Sequence, residues 1–115
     1  MTTSARNGPG VPPMPAERSP KALRAAIAEH TPALLADFDA QWKRDIADAY
    51  DIAPVPAFLA RWWGEYAIAR DTLLEDQVNR LEVEAAETPD LPRAKALLEE
   101  AVHLRRAARE AEPGR

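Results

Sequence analysis

Cysteine is absent from the 115-residue chain, and histidine and serine each occur only twice. The absence of cysteine excludes disulfide bridges, thiolate metal sites and cysteine nucleophiles. Neither serine suits a Ser–His–Asp arrangement, because Ser4 lies in a proline-rich stretch and Ser19 is better placed to cap a helix. The chain also lacks a glycine-rich phosphate loop, an HExxH motif and an EF-hand loop. We therefore expect a protein that is not an enzyme and that binds no cofactor and no metal.

Long apolar runs are missing as well. No segment approaches the roughly 20 consecutive apolar residues that a transmembrane helix needs. The N-terminal residues lack the apolar centre of a signal peptide. A cysteine-free chain also suits a reducing compartment. These features predict cytoplasmic localisation without membrane contact.

Charge is unevenly distributed along the chain, whose formal net charge is −4. Residues 31–90 carry five basic and thirteen acidic side chains, a balance of −8, whereas the segments on either side each have a balance of +2. The acidic segment either steers a basic partner or is an ordinary solvated helix surface. Asp37, Asp45 and Asp48 are the candidate steering charges. The net negative charge argues against a general nucleic-acid binder.

Proline and glycine are concentrated in residues 1–18, which hold four of the eleven prolines and two of the four glycines. Such a stretch buries too little apolar surface to offset the entropy lost on ordering. The sequence therefore predicts a disordered N-terminal arm over residues 1–18. Order is expected to begin at Ser19-Pro20, where a serine N-cap precedes a proline in the first helical position.

Residues 19–70 are predicted to form an N-terminal helical region. Its first helix should end near His30, and Thr31-Pro32 then repeats the start signal. A second, amphipathic helix of about five turns is predicted from apolar residues at helical spacing, namely Leu34, Leu35, Phe38, Trp42, Ile46, Ala49 and Tyr50. The prolines that follow interrupt this helix, and a third one is expected from about Val55. The sequence leaves open whether that helix continues across Asp71.

Residues 71–112 are predicted to form a C-terminal helical hairpin. Apolar side chains recur at steps of three and four residues on both sides of a short turn at Thr88-Pro89-Asp90. This repeat is typical of coiled-coil packing, and a short connection with Asp90 as N-cap makes the two helices antiparallel neighbours. No strand pattern is found. The predicted fold is all-α, a small bundle of four to five helices with this hairpin at its end.

Arg61-Trp62-Trp63 is the most unusual local sequence. Consecutive helical residues lie about 100° apart around the axis, so two adjacent tryptophans need a broad contact surface. Either both are buried in the core, or one of them faces a partner. Under the second interpretation Arg61, Trp62, Trp63 and Tyr66 are the partner-binding candidates.

The segment from Leu23 to Asp71 resembles a family of small actinobacterial proteins of unknown function. The resemblance consists of a leucine/alanine helix start, an acidic helix with a phenylalanine, a proline break and a helix with paired tryptophans, at positions Leu23, Phe38, Trp42, Pro54, Phe58, Trp62 and Trp63. Members of that family can be encoded beside ribonuclease-type toxins, so the resemblance implies an antitoxin-like role. The hairpin after Asp71 departs from the family pattern, and the resemblance implies no catalytic residue.

Three functional hypotheses follow. The first is a non-enzymatic helical protein–protein interaction module, for which the resemblance suggests an antitoxin-like role as the partner of a small basic protein. The second is a self-assembling, homodimeric structural protein that pairs through Leu74, Leu81, Leu97 and Leu104 of the hairpin. The third is a helical DNA-binding regulator, which the acidic balance disfavours.

Overall fold

The computed structural model describes residues 10–115. All regular secondary structure in this range is helical. Five α-helices are present, with a 3₁₀ turn (Pro32–Leu34) before the second and a π-helical segment (Lys43–Ala47) after it: α1 (Pro20–His30), α2 (Leu35–Trp42), α3 (Val55–Ala69), α4 (Thr72–Glu87) and α5 (Leu91–Arg109). The all-α prediction is confirmed. No helix within residues 10–115 is long and apolar enough to cross a membrane.

Helix α1 begins where the sequence predicted. The Ser19 hydroxyl accepts a hydrogen bond from the Ala22 amide at 3.2 Å, and Pro20 occupies the first helical position. The helix buries Leu23 and Ile27 completely. These two residues lie four apart, so they share the face that packs on the core.

The second helix differs from the predicted uninterrupted amphipathic helix. The Thr31 side chain makes no capping hydrogen bond, and the chain enters α2 through the 3₁₀ turn. The π-helical segment then changes the number of residues per turn. Phe38 and Ile46 are buried as predicted, but Tyr50 is almost fully exposed. The prediction that Tyr50 belongs to the apolar face is wrong, because the π turn and a left-handed backbone at Tyr50 (φ 51°) redirect the chain.

Helix α3 is the central element of the bundle. Seven of its residues are buried: Phe58, Trp62, Trp63, Gly64, Tyr66, Ala67 and Ile68. Gly64 lies against α5, where a Cβ atom would come within 2.8 Å of Arg109 Cγ and 3.6 Å of Arg109 Cα. The glycine therefore allows α3 and α5 to approach each other closely.

Asp71 separates α3 from α4, which answers the question left open by the sequence. Its backbone is extended, and its side chain accepts a hydrogen bond from the Leu74 amide at 3.2 Å. At the next turn, Asp90 caps α5 by accepting a hydrogen bond from the Arg93 amide at 3.3 Å. Helices α4 and α5 pack along each other as the predicted hairpin.

The N-terminal segment departs most clearly from prediction. Residues 10–18 lie on the core: Met14 is 2 % exposed, the Tyr66 hydroxyl donates to the Pro13 carbonyl at 3.2 Å, and the Gly114 amide donates to the Pro15 carbonyl at 2.9 Å. The predicted disorder is therefore wrong for residues 10–18, and residues 1–9 lie outside the described part. Proline restricts the unfolded chain and so lowers the entropy lost on ordering. The buried Met14 side chain and carbonyl hydrogen bonds then hold the segment in place.

Candidate functional site

The paired tryptophans are core residues. Trp62 is 3 % exposed and Trp63 0 % exposed. Their indole N–H groups find acceptors inside the protein: Trp62 Nε1 donates to Gln41 Oε1 at 2.9 Å, and Trp63 Nε1 donates to the Ala111 carbonyl at 2.8 Å. Both polar groups are thus satisfied without a partner molecule.

Burial of two adjacent tryptophans is explained by the central position of α3. On one side Trp62 packs edge-on against Phe38, with ring centroids 5.6 Å apart. On the other side Trp63 is covered by the C-terminal residues and by Arg18, whose guanidinium lies 4.8 Å from the ring centroid. The prediction that one of these tryptophans faces a partner is therefore wrong for this structure, and the core interpretation is the one observed.

Arg61 and Tyr66 are also engaged within the chain. The Arg61 guanidinium lies 4.8 Å from the centroid of Trp62 and donates to Gln41 at 2.6 Å, although its side chain is exposed. Tyr66 is fully buried, and this burial raises the pKa of its hydroxyl group, an effect that the nearby Arg70 charge opposes. Arg70 donates in turn to the carbonyl of Pro12 at 3.0 Å. Tyr66 and Arg70 thus anchor the N-terminal segment.

The three candidate steering carboxylates lie at or near the surface: Asp37 on α2, Asp45 on the π-helical segment and Asp48 directly after that segment. Asp45 pairs with Arg44 at 2.9 Å, and Asp48 pairs with Lys43 at 2.7 Å. Asp37 is exposed. Because basic side chains neutralise two of the three carboxylates locally, the negative potential of this surface is weaker than the sequence balance suggests. The structure does not bring these acids together with the tryptophans.

The leucines that were candidates for homodimerisation lie in the seam between α4 and α5. Leu74, Leu81, Leu97 and Leu104 are half-buried, and the buried seam residues beside them include Val78, Ala85 and Ala101. Ala85 and Ala101 are not part of the main core cluster, which involves the other end of the hairpin. The repeat that suggested a dimer is therefore used mainly inside the chain.

Salt bridges hold the hairpin together on its flanks. Arg105 of α5 donates to both carboxylate oxygens of Glu82 on α4, at 2.8 and 2.9 Å, and lies 3.8 Å from Glu65 of α3. Arg93 pairs with Glu84 near the turn. The hydrogen bonds from Arg105 lower the pKa of Glu82 below its usual value, although partial burial opposes the shift. These pairs fix the orientation in which α5 presents its outer side.

That outer side carries an apolar feature that the sequence analysis missed. Leu91, Leu98 and Val102 are 78 %, 48 % and 52 % exposed, and we call these three residues the α5 stripe. Their spacing of seven and four residues places them on one line along the helix. Lys95, Glu99, His103 and Arg106 flank them in the same shallow groove. The sequence did not reveal the stripe for two reasons. Lys95 interrupts the apolar repeat, whose positions follow at steps of four, three and four residues, and the stronger alanine/leucine repeat of the seam occupies the same segment of chain.

A second apolar surface lies between α1 and α2. It is a cleft of about 840 Å³ whose lining includes Pro20, Ala22, Ala25, Phe38 and Trp42. Arg24 and Asp39 form a bidentate pair at its side, with distances of 2.8 and 2.7 Å, and this hydrogen bonding lowers the pKa of Asp39. Because this pair joins α1 to α2, it stabilises the walls of the cleft. Within residues 10–115 no group of three or more histidine, aspartate or glutamate side chains is arranged to hold a metal ion.

Comparison with protein-family models, with curated proteins and with solved structures found no match to this chain. The resemblance of residues 23–71 to the actinobacterial family therefore stays a prediction. The proposals below are argued from the geometry of the chain itself.

Proposed function

We propose that the protein is a non-enzymatic helical interaction module whose α5 stripe packs against a helix of a protein partner. The observation that supports this proposal is the alignment of Leu91, Leu98 and Val102 on one exposed line of α5. Full burial of a leucine or valine side chain contributes about 1.5–3 kcal/mol, so covering the stripe is favourable.

The arrangement of the stripe distinguishes it from ordinary exposed apolar residues. Single exposed apolar side chains are normal on protein surfaces and need no explanation. Leu73 and Val83 fit that description, since their separation of ten residues on α4 places them on different faces of the helix. Tyr50 and Ile52 lie in the loop between the π-helical segment and α3. The stripe residues instead share one helix and one face. Anchors at such spacing are typical of helix-to-helix recognition.

The position of the stripe also supports the proposal. Around Leu98 the helix belongs to the half of the hairpin that lies outside the main core cluster. Its packing there includes the seam with α4 and the Arg93–Glu84 pair. A pair of helices with apolar surface on a free side gains stability when a further helix covers it.

The proposal is tested by chemical cross-linking in the native host followed by affinity capture, with the tagged chain and two variants, so that weak complexes are retained. Leu98→Asp places a charge in the centre of the stripe, whereas Leu73→Asp changes a more exposed leucine on α4 and serves as the matched control. We expect the wild type and Leu73→Asp to retain the same polypeptide, and Leu98→Asp to lose at least about 90 % of it, the loss that about 1.4 kcal/mol produces.

Both variants should fold, since both leucines are exposed, and circular dichroism melting checks this. Equal capture by all three proteins would overturn the proposal, because a charged residue in the middle of the stripe would then have no effect on binding.

A further inference from the structure

The partner that best fits the α5 stripe is a second copy of this chain. We propose that two α5 helices pair through their stripes in antiparallel orientation. The two-fold axis crosses the stripe at the level between Ala96 and Leu97. This inference deepens the proposed function and rests on it, since it identifies the helix that covers the stripe. It is carried by the charge pattern beside the stripe, together with the spacing of the apolar residues.

The spacing suits pairing of two similar helices. Leu91, Lys95, Leu98 and Val102 follow one another at steps of four, three and four residues. Such a repeat keeps one line of side chains facing a neighbouring helix along its length. Ala94, which lines the same groove, has a small side chain that allows a close approach.

The charges favour the antiparallel orientation. With the axis between Ala96 and Leu97, Leu91 lies opposite Val102 of the second copy, and Lys95 comes next to Glu99 of the second copy. The two-fold axis makes this ion pair twice. A parallel pairing in register would instead place Lys95 beside Lys95 of the second copy, and like charges in contact are destabilising.

Lys95 and Glu99 are available for such pairs. Both side chains are exposed, and neither has a hydrogen-bonding or ion-pair partner within residues 10–115. The same register brings Arg106 towards the turn of the second copy, where Glu87 and Asp90 lie. The basic residue beside one end of the stripe thus meets the acidic residues beside the other end in the second copy, so the charges of the two faces are complementary.

The small size of the face limits how tight the dimer can be. Only three large apolar side chains per copy are covered, on one helix. Interfaces that bury less than about 1,200 Å² in total are typical of weak or transient association. We therefore expect a monomer–dimer equilibrium that depends on concentration, rather than an obligate dimer.

Sedimentation equilibrium of the full chain tests the inference over about 10 μM to 1 mM, a range suited to weak interfaces. The wild type should pass from monomer to dimer within this range. Lys95→Glu alone and Glu99→Lys alone should each weaken the dimer about tenfold, because each replaces two attractive pairs by two repulsive ones.

An equimolar mixture of these two variants should regain the wild-type affinity as a heterodimer. One copy then carries a carboxylate at both position 95 and position 99, and the other carries an ammonium group at both. Each contact between position 95 of one copy and position 99 of the other therefore joins opposite charges again.

Three results would overturn the inference, and they separate it from the proposed function. A wild type that is monomeric throughout, while Leu98→Asp still abolishes capture of a different polypeptide, would keep the interaction module but replace the second copy by that partner. A dimer that Leu98→Asp leaves intact would mean that another face mediates pairing. A dimer that weakens in neither charge variant would overturn the antiparallel register. Val83→Asp, on the far side of α4, is the control that should leave dimerisation unchanged.

Discussion

At the residue scale, Trp63 illustrates how a side chain typical of binding sites is used in the core. Trp, Tyr and Arg dominate interface anchors, which is why Trp62, Trp63 and Tyr66 were predicted to bind a partner. The same large apolar area stabilises a small bundle when it is buried. Sequence alone could not decide between these uses, because the decision depends on which elements cover α3 on each side.

Replacement of Trp63 by alanine should therefore destabilise the fold. The variant loses a fully buried side chain and leaves the Ala111 carbonyl without its donor, and such substitutions cost about 3–5 kcal/mol. Urea unfolding followed by circular dichroism measures the change. Arg61→Ala, close to it in sequence but exposed, should cost less than about 1 kcal/mol and is the control. A wild-type unfolding midpoint for Trp63→Ala would contradict the core placement of this residue.

At the element scale, the helix boundaries were the most predictable feature. Ser19, Asp71 and Asp90 each cap a helix with a side-chain oxygen, and two of these starts were predicted from cap and proline signals alone. The π-helical segment had no signal of this kind, since its residues suit an ordinary helix. Residues 10–18 were missed because their order comes from distant partners on α3 and at the C-terminus. Composition carries no information about such contacts.

The salt bridge between Arg105 and Glu82 gives a prediction about how stability depends on pH. The pKa of Glu82 is lower in the folded protein than in the unfolded chain, so the folded state holds its proton less tightly. The contribution of the Glu82–Arg105 pair to stability is therefore complete above the unfolded pKa of about 4.3, and it is lost as the pH falls through the folded pKa. Because the pair is partly exposed and screened by solvent, we expect about 0.5–1 kcal/mol at neutral pH.

Glu82→Gln tests this contribution. Urea unfolding at pH 7 should show the variant less stable than the wild type, and the difference should be smaller at about pH 3, which lies below the pKa of the unfolded chain. Glu100→Gln, at an exposed position of α5, should show no difference at either pH. A difference for Glu82→Gln that grows on acidification would refute the assigned direction of the shift.

At the scale of the whole molecule, the described chain is flat, with extents of 45, 44 and 21 Å. The main core joins α1, α2, α3 and the N-terminal segment to one end of the hairpin, and the other end of the hairpin extends from it. This shape leaves one side of α5 free over the stripe. The acidic segment that suggested steering is partly neutralised by ion pairs such as Lys43–Asp48. Shape and apolar exposure, rather than charge alone, therefore support the interaction module.

Much of the fold followed from local signals, whereas the candidate site did not. Caps, prolines and apolar spacing gave α1, α3 and the hairpin, because these features act within a few residues of chain. The α5 stripe depends on which face of the helix the rest of the bundle leaves uncovered. Leu97 and Leu98 are neighbours in sequence, yet one lies in the seam and the other in the stripe. Only the packed structure separates them.

Photo-crosslinking in the native host tests the central claim most directly. A photoreactive phenylalanine analogue at position 98 should give an adduct with another polypeptide on irradiation, and an adduct of twice the mass of the 12.7 kDa chain would identify a second copy. The same analogue at position 73, on an exposed part of α4 outside the stripe, should give little or none. Two results would contradict the account of α5 as the interaction face. One is the absence of adducts from position 98 although the protein is expressed and folded, and the other is an equal yield of adducts from both positions.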